Sequence, residues 1–180
     1  MNRDDDAALV SDCLNGNPQA FAAIVAKYEK PLYNVAIRML RNPEDARDVT
    51  QTAFLKAYQG LNKYDPQFKF YSWLYRIAIN ESLDALRLRS REAGPVDDQL
   101  PSGDPGPEDA LAADGAQRQL LAAIEELRPE HRAVIVLKYF ADRSYEDMAE
   151  ILGVEAKTVK SRLFTARQAL KDRLAAEGAL

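Results

Sequence analysis

Between residues 157 and 173 the chain carries six basic side chains against one acid. At roughly 100° per residue, Val159, Leu163, Ala166, Leu170 and Leu174 fall on one face of a helix. Lys157, Ser161, Phe164, Thr165 and Gln168 fall on the opposite face, with Lys160, Arg167 and Lys171 along a flank. Cations meet phosphates, hydroxyls and amides reach base edges, and an exposed phenylalanine can touch a thymine methyl. The pattern suits a DNA major groove. A solvated basic helix would show the same charge, but not the apolar Phe164 or the glycine turn just upstream.

A second group is aromatic. Tyr64, Phe68, Phe70 and Tyr71 crowd around Lys63 and Lys69, and Trp73, Arg76, Asn80, Asp84 and Arg87 follow within one helical arc. Leu74, Ile77, Ala78 and Ala85 form a buried arc, and Tyr75, Ile79, Leu83 and Leu86 a second. Aromatics interleaved with cations can stack unpaired bases while the cations follow the backbone. Such spacing more often builds a core, so taken alone it says little.

Between these groups and the N-terminus, Glu44, Asp48, Gln51, Leu55 and Gln59 lie opposite an apolar face of Ala46, Val49, Ala53, Phe54, Ala57 and Leu61. An exposed Leu55 amid polar neighbours hints at a protein partner.

Nothing points to catalysis. The one cysteine, Cys13, and the one histidine, His131, are too poor a set for a structural zinc site or an internal disulfide. Cys13 reads as a small half-buried hydrophobe and His131 as a surface residue. There is no glycine-rich phosphate loop, so no catalytic residue, metal or cofactor is expected.

The elements that position these groups are helical throughout. Asn17-Pro18 and Asn42-Pro43 are helix starts, the second with acids in its first turn. Pro31 should kink the first of these helices without ending it. The second helix should run to about Leu61, and a third from Phe70 to about Arg91. Further helices are expected at about 118–127, 130–140 and 156–175. Ser144 and Asp147 make a variant capping box and Gly153 a left-handed stop, so Ser144–Ala175 reads as a helix-turn-helix.

The net charge of −4 is unevenly placed. Residues 92–117 hold seven acids and no base, with four of the nine prolines and four of the eight glycines. Such a segment cannot bury enough apolar surface to offset its ordering entropy and reads as a linker, with a short turn conceivable near Pro107–Ala113. The chain is therefore expected to be all-α, with two small helical domains at 1–91 and 118–180. No apolar run approaches the roughly 20 residues that span a bilayer. The acidic start, Met1-Asn2-Arg3-Asp4-Asp5-Asp6, lacks the apolar stretch of a signal peptide. A cytoplasmic protein without membrane insertion is expected.

From about Ala8 to Leu174 the sequence closely resembles the extracytoplasmic-function sigma factors of bacterial RNA polymerase, within the sigma-70 superfamily. Asp45-Ala46-Arg47-Asp48-Val49-Thr50-Gln51-Thr52-Ala53-Phe54-Leu55-Lys56-Ala57-Tyr58 is similar to their region 2.2. Phe70-Tyr71-Ser72-Trp73-Leu74-Tyr75-Arg76-Ile77-Ala78-Ile79-Asn80 resembles regions 2.3 and 2.4. Leu127-Arg128-Pro129-Glu130-His131-Arg132, Ser144-Tyr145-Glu146-Asp147-Met148-Ala149 and Lys157-Thr158-Val159-Lys160-Ser161-Arg162-Leu163-Phe164 resemble region 4 and its recognition helix.

The resemblance implies core polymerase as a partner, through its β′ clamp helices and β flap, with Asp45, Asp48, Gln51 and Leu55 on the contact. It implies recognition and melting of the −10 promoter element by Tyr64, Phe68, Tyr71, Trp73, Tyr75, Arg76, Asn80 and Arg87. The −35 element falls to Lys157, Thr158, Lys160, Ser161, Arg162, Phe164, Thr165 and Gln168. The acidic linker would follow the path later taken by RNA, and an anti-sigma factor is an expected regulator. Thr52 stands where the family often has Glu, and Thr165 where it often has Arg, departures that bear on one polymerase contact and on the −35 preference.

Three rival readings fit less well. An autonomous helix-turn-helix regulator needs phosphate attraction that a chain of pI near 5.2 hardly supplies, and leaves the aromatic loop unexplained. A small helical hydrolase lacks the residues for its chemistry. A pure interaction module leaves the basic helix idle.

Overall fold

The computed structural model describes residues 3–92 and 115–176, among which every regular element is helical. The expected turn near 107–113 lies outside the described residues, as does most of the acidic segment. Helix α1 (Arg3–Leu14) is pinned to α2 (Pro18–Leu40) by one buried carboxylate. Asp6, only 3% exposed, accepts hydrogen bonds from Lys27 Nζ and Tyr28 Oη, each at 2.6 Å. A buried charge is tolerable only when paired and bonded in this way, and burial together with Asp6 pushes the Tyr28 hydroxyl far up.

Both asparagine–proline starts act alike. Asn17 Oδ1 accepts from the Gln19 amide at 3.0 Å. Asn42 Oδ1 accepts from Glu44 and Asp45 at 2.9 and 3.2 Å, opening α3 (Pro43–Gly60). Each cap satisfies donors that the first helical turn leaves open. Helix α2 continues through Pro31 to Leu40, held by buried Ile24, Tyr28, Leu32, Val35 and Met39 on either side of the proline. Arg41 then takes a left-handed φ of 55° and its amide returns to the Ile37 carbonyl at 2.7 Å. Helix α3 ends at Gly60, one residue before the expected limit, because a 3₁₀ turn at Leu61–Lys63 takes over. Helix α4 (Phe70–Glu92) completes this half, packing on α2 and α3 with Leu74, Ala78 and Ile79 buried.

In the second half α5 (Gly115–Glu125) starts and stops earlier than the expected 118–127. The Leu127 amide already reaches the Ile124 carbonyl at 3.2 Å in the tight turn before Pro129. Helix α6 (Pro129–Ile135) widens into a π-helical turn over Val136–Phe140, where the Ala141 amide meets the Val136 carbonyl at 3.1 Å. The extra residue in that turn leaves Tyr139 and Phe140 exposed. His131, expected at the surface, is half-buried.

Helix α7 (Tyr145–Leu152) opens with the expected capping box. Ser144 Oγ accepts from the Asp147 amide at 3.0 Å, and Asp147 Oδ2 accepts from the Ser144 amide at 3.3 Å. Gly153, at φ 64°, ends it in the left-handed region that costs glycine nothing. Helix α8 (Ala156–Ala176) follows at once, and Met148, Ile151, Val159 and Leu163 close the core between the pair.

The halves are not separate beads. Helix α4 packs on α2 and α3 and also on α7, and one buried cluster runs across both halves. At their junction Arg132, 3% exposed, donates from Nη1 to the Met39 carbonyl at 2.5 Å and from Nη2 to the Glu125 carbonyl. Burial, with Arg41 and Arg89 nearby, lowers the Arg132 guanidinium to about 10, still charged at neutral pH. Arg41 pairs with Glu125 across the same junction.

Candidate nucleic-acid interface

Helix α8 divides as its sequence predicts. Val159, Leu163, Ala166 and Leu170 are buried and Leu174 is half-buried, while Lys157, Lys160, Ser161, Thr165 and Gln168 are exposed. Phe164 is 72% exposed at the centre of that outer face, an uncommon place for a phenylalanine in a free chain. Thr158 and Arg162 stand half-buried at its margins. Arg167 is turned back, its Nε donating to Tyr139 Oη at 2.7 Å, and Gln168 Nε2 donates to Asp172 at 2.8 Å. With α7 packed against α8, the outer face is a projecting surface of cations, hydroxyls and one ring.

The aromatic loop forms a compact stack. Tyr64, Phe70 and Trp73 have ring centroids 5.4, 5.5 and 5.7 Å apart pairwise, close enough for edge and tilted contacts. Tyr64 Oη donates to the Phe68 carbonyl at 2.6 Å and closes the loop, leaving the Phe68 ring exposed. Trp73 is half-buried, so one part of its ring holds the stack and another meets solvent. Arg76, Asn80 and Arg87 are exposed along α4, with Arg87 paired to neighbouring Asp84 at 2.7 Å.

Part of this surface is occupied by the second half. Lys69 Nζ donates to Asp147 Oδ1 at 2.6 Å, and its amide donates to Glu150 Oε1 at 3.2 Å. Arg76 Nε donates to the Glu150 carbonyl at 3.1 Å. The Arg143 guanidinium lies 4.6 Å from the Tyr71 ring centre and 4.9 Å from that of Tyr75. Tyr75 is 1% exposed, so in this arrangement no base can reach it. Burial would raise the Asp147 carboxyl, but bonds from Lys69, Tyr71 and Ser144 outweigh it and hold the group at about 2. The bond to Asp147 in turn raises Lys69. Burial pushes Tyr71 and Tyr75 up, with Arg143 pulling against burial at Tyr75.

Residues 24–92 match the family model of sigma-70 region 2, and residues 117–170 that of sigma-70 region 4. Sigma-H factor of Pseudomonas aeruginosa is 32% identical over 97% of this chain and 96% of its own length. The extracytoplasmic-function sigma factor SigW of Bacillus subtilis is 35% identical over 88% of this chain and 91% of its own. The chain belongs to the extracytoplasmic-function sigma factors. Among solved structures, the sigma factor RpoE of Bartonella quintana, in complex with the anti-sigma factor NepR, superposes with a TM-score of 0.69. It is 26% identical and covers 86% of this chain and 96% of that one.

For a sigma factor the polar outer face of α3 is the third surface of interest. Asp48, Gln51 and Leu55 are exposed on it, while Asp45 is half-buried and paired with Arg89. Arg89 Nη1 also donates to the Leu40 carbonyl at 3.1 Å, so Asp45 steadies the junction of α2, α3 and α4. Tyr58, one turn beyond Leu55, is exposed too, its ring 4.9 Å from that of Phe21. The sequence signal for Tyr58 was its spacing from Leu55, three residues along the same face. Thr52 is half-buried at the edge of this face and Thr165 is exposed on α8. Among the described residues no group of His, Cys, Asp or Glu could hold a metal ion, and no helix is long and apolar enough to cross a membrane.

Proposed function

We propose that this sigma factor reads its promoters at two places and performs no chemistry of its own. The observation that carries this is the outer face of α8, where Phe164 projects among Lys157, Lys160, Ser161 and Thr165. In a major groove at the −35 element the lysines meet phosphates, the hydroxyls and Gln168 face base edges, and Phe164 meets a methyl or sugar edge. Thr158 and Arg162, at the margins, fit backbone contacts. The −10 element falls to the loop and outer arc of α4: Tyr64, Phe68, Tyr71, Trp73, Tyr75, Arg76, Asn80 and Arg87. Aromatic rings there take up the stacking that unpaired bases lose, and Asn80 offers both a donor and an acceptor to a base edge.

Core polymerase engages the outer face of α3 through its β′ clamp helices, at Asp48, Gln51, Leu55 and Tyr58, with Asp45 fixing the start of that helix. The β flap is the further polymerase contact. Residues 1–91 and 118–180 are the functional domains, and the acidic 92–117 segment, without a base, imitates RNA in the positively lined exit path. An anti-sigma factor holds the protein in reserve in the cytoplasm, in line with the solved relative bound to one.

Run-off transcription with purified bacterial core polymerase and sheared genomic DNA tests this, with and without the protein. New start sites that share two spaced upstream elements are expected. No new transcripts, together with tight duplex binding by the chain alone, would make it an autonomous regulator instead.

A further inference from the structure

The contacts between the halves fall on particular atoms of the −10 surface. Lys69 and Arg76 are two of the cations beside the aromatic loop, and both are engaged by α7: Lys69 Nζ donates to the Asp147 carboxylate and its amide to Glu150 Oε1, while the Arg76 guanidinium donates to the Glu150 carbonyl. Tyr71 and Tyr75 are the rings beyond Trp73, and both lie under the planar guanidinium of Arg143. A nucleic-acid strand offers the same two things, an oxygen acceptor for each cation and a flat face for each ring.

We infer that the segment Arg143–Glu150, the start of α7 and the two residues before it, is an internal mimic of the single strand, and that the chain by itself adopts a closed state in which strand reading is blocked while duplex reading stays open. The asymmetry is built into the helix-turn-helix. Helix α7 faces α4, whereas the outer face of α8, with Lys157, Lys160, Ser161 and Phe164, points to solvent. A second set of contacts holds the state away from the DNA surfaces. Arg132 reaches the Met39 carbonyl, Arg41 pairs with Glu125, and Arg38 stacks on Phe140 at 4.1 Å. Strand and mimic compete for the same cations, so an open complex requires the halves to part.

The inference rests on the strand-binding role proposed above for the aromatic loop. Its test uses the full chain and two substitutions outside the DNA-reading residues. Asp147→Asn removes the charge that engages Lys69 yet keeps an oxygen for the Ser144 amide, so the helix cap survives. Arg143→Ala removes the stacked plane. The strand probe is a short random-sequence single-stranded DNA carrying fluorescein, and the duplex probe its double-stranded counterpart. If the strand-competent form is about one tenth of the population, opening it raises strand affinity about tenfold. The double variant should show that gain with duplex affinity unchanged.

Spin labels at Gln59→Cys and Lys171→Cys, in a Cys13→Ser background, report the closure by pulsed electron resonance. A single narrow distance is expected in the parent chain and a broad distribution in the double variant. A broad distribution in the parent overturns the closed state. A double variant that opens without gaining strand affinity overturns the mimicry. If that variant, opened, refuses the strand and the parent also fails in run-off transcription, the strand role of the loop falls as well. If the parent transcribes, the sigma reading stands and only the mimicry is lost.

Discussion

Phe164→Ala separates reading DNA from folding more cleanly than any other change on α8. A phenylalanine presents on the order of 200 Å², and Phe164 leaves 72% of its surface exposed. If about half of that exposed surface is covered on docking, roughly 70 Å² leaves water, which at about 25 cal/mol per Å² amounts to about 1.8 kcal/mol. The substitution should therefore weaken binding of the holoenzyme to a −35 duplex roughly twentyfold. Stability should hardly change, because the ring packs on little in the free chain and alanine is the better helix former, an effect within about 0.5 kcal/mol. Fluorescence anisotropy on promoters recovered by run-off transcription measures the first quantity, and thermal unfolding of the free protein the second. A loss under about twofold would refute the docking of this face. A marked fall in melting temperature would show instead that Phe164 belongs to a core.

Four further outcomes follow from the same geometry. Lys160→Ala should lower affinity evenly across −35 sequences and reduce the salt slope by about one; a changed sequence preference would mean that Lys160 reads bases. Asn80→Ala should impair promoter opening, followed by permanganate reactivity, while polymerase binding in a pull-down is unaltered; unimpaired opening would remove Asn80 from the strand site. Leu163→Ala, at a position 1% exposed, should cost about 2–5 kcal/mol in urea unfolding, and a cost under about 1 kcal/mol would contradict the packing of α8. The contact between Lys69 and Asp147 should depend on pH. The folded Asp147 carboxyl is held at about 2, below its ordinary value of about 3.9. Its contribution is complete above about pH 4 and lost as pH falls towards about 2. Lys69, raised by the same bond, contributes fully below its ordinary value near 10.4 and loses that contribution only as pH rises past its raised value. Spin-label distances across an acid titration would check this; halves that part well above about pH 5 would assign the closure to other groups.

What the sequence disclosed is what neighbours along the chain decide. Asn17-Pro18, Asn42-Pro43, the Ser144–Asp147 box and Gly153 each act within a few residues, so their effects follow from residue type alone. The faces of α3, α4 and α8 follow from helical periodicity, and the buried sets match it on α3 and largely on α8, whereas on α4 Ile77, Leu83 and Ala85, expected in the buried arcs, are only half-buried. The junction of the halves was not legible. Arg132 has no local feature that marks it for burial, because its acceptors at Met39 and Glu125 come from a distant helix and from the end of another. Arg143 reads as an ordinary loop cation until Tyr71 and Tyr75 are brought beneath it. Tyr75 shows the limit from the other side. Its spacing supports both a core place and a DNA contact, and only the packing of α7 on α4 decides that it is covered here.

Asp147 binds two fates together. The same carboxylate closes the first turn of α7 and grips Lys69 in the other half. A residue that served only the contact between halves could drift away under neutral change, and the contact with it. Here most replacements would also give up the side-chain bond of the capping box at the start of α7, so a change that loosens the contact weakens the helix cap as well. The embrace of the two halves and the helix cap thereby hang on one carboxylate, and neither can be altered there without touching the other.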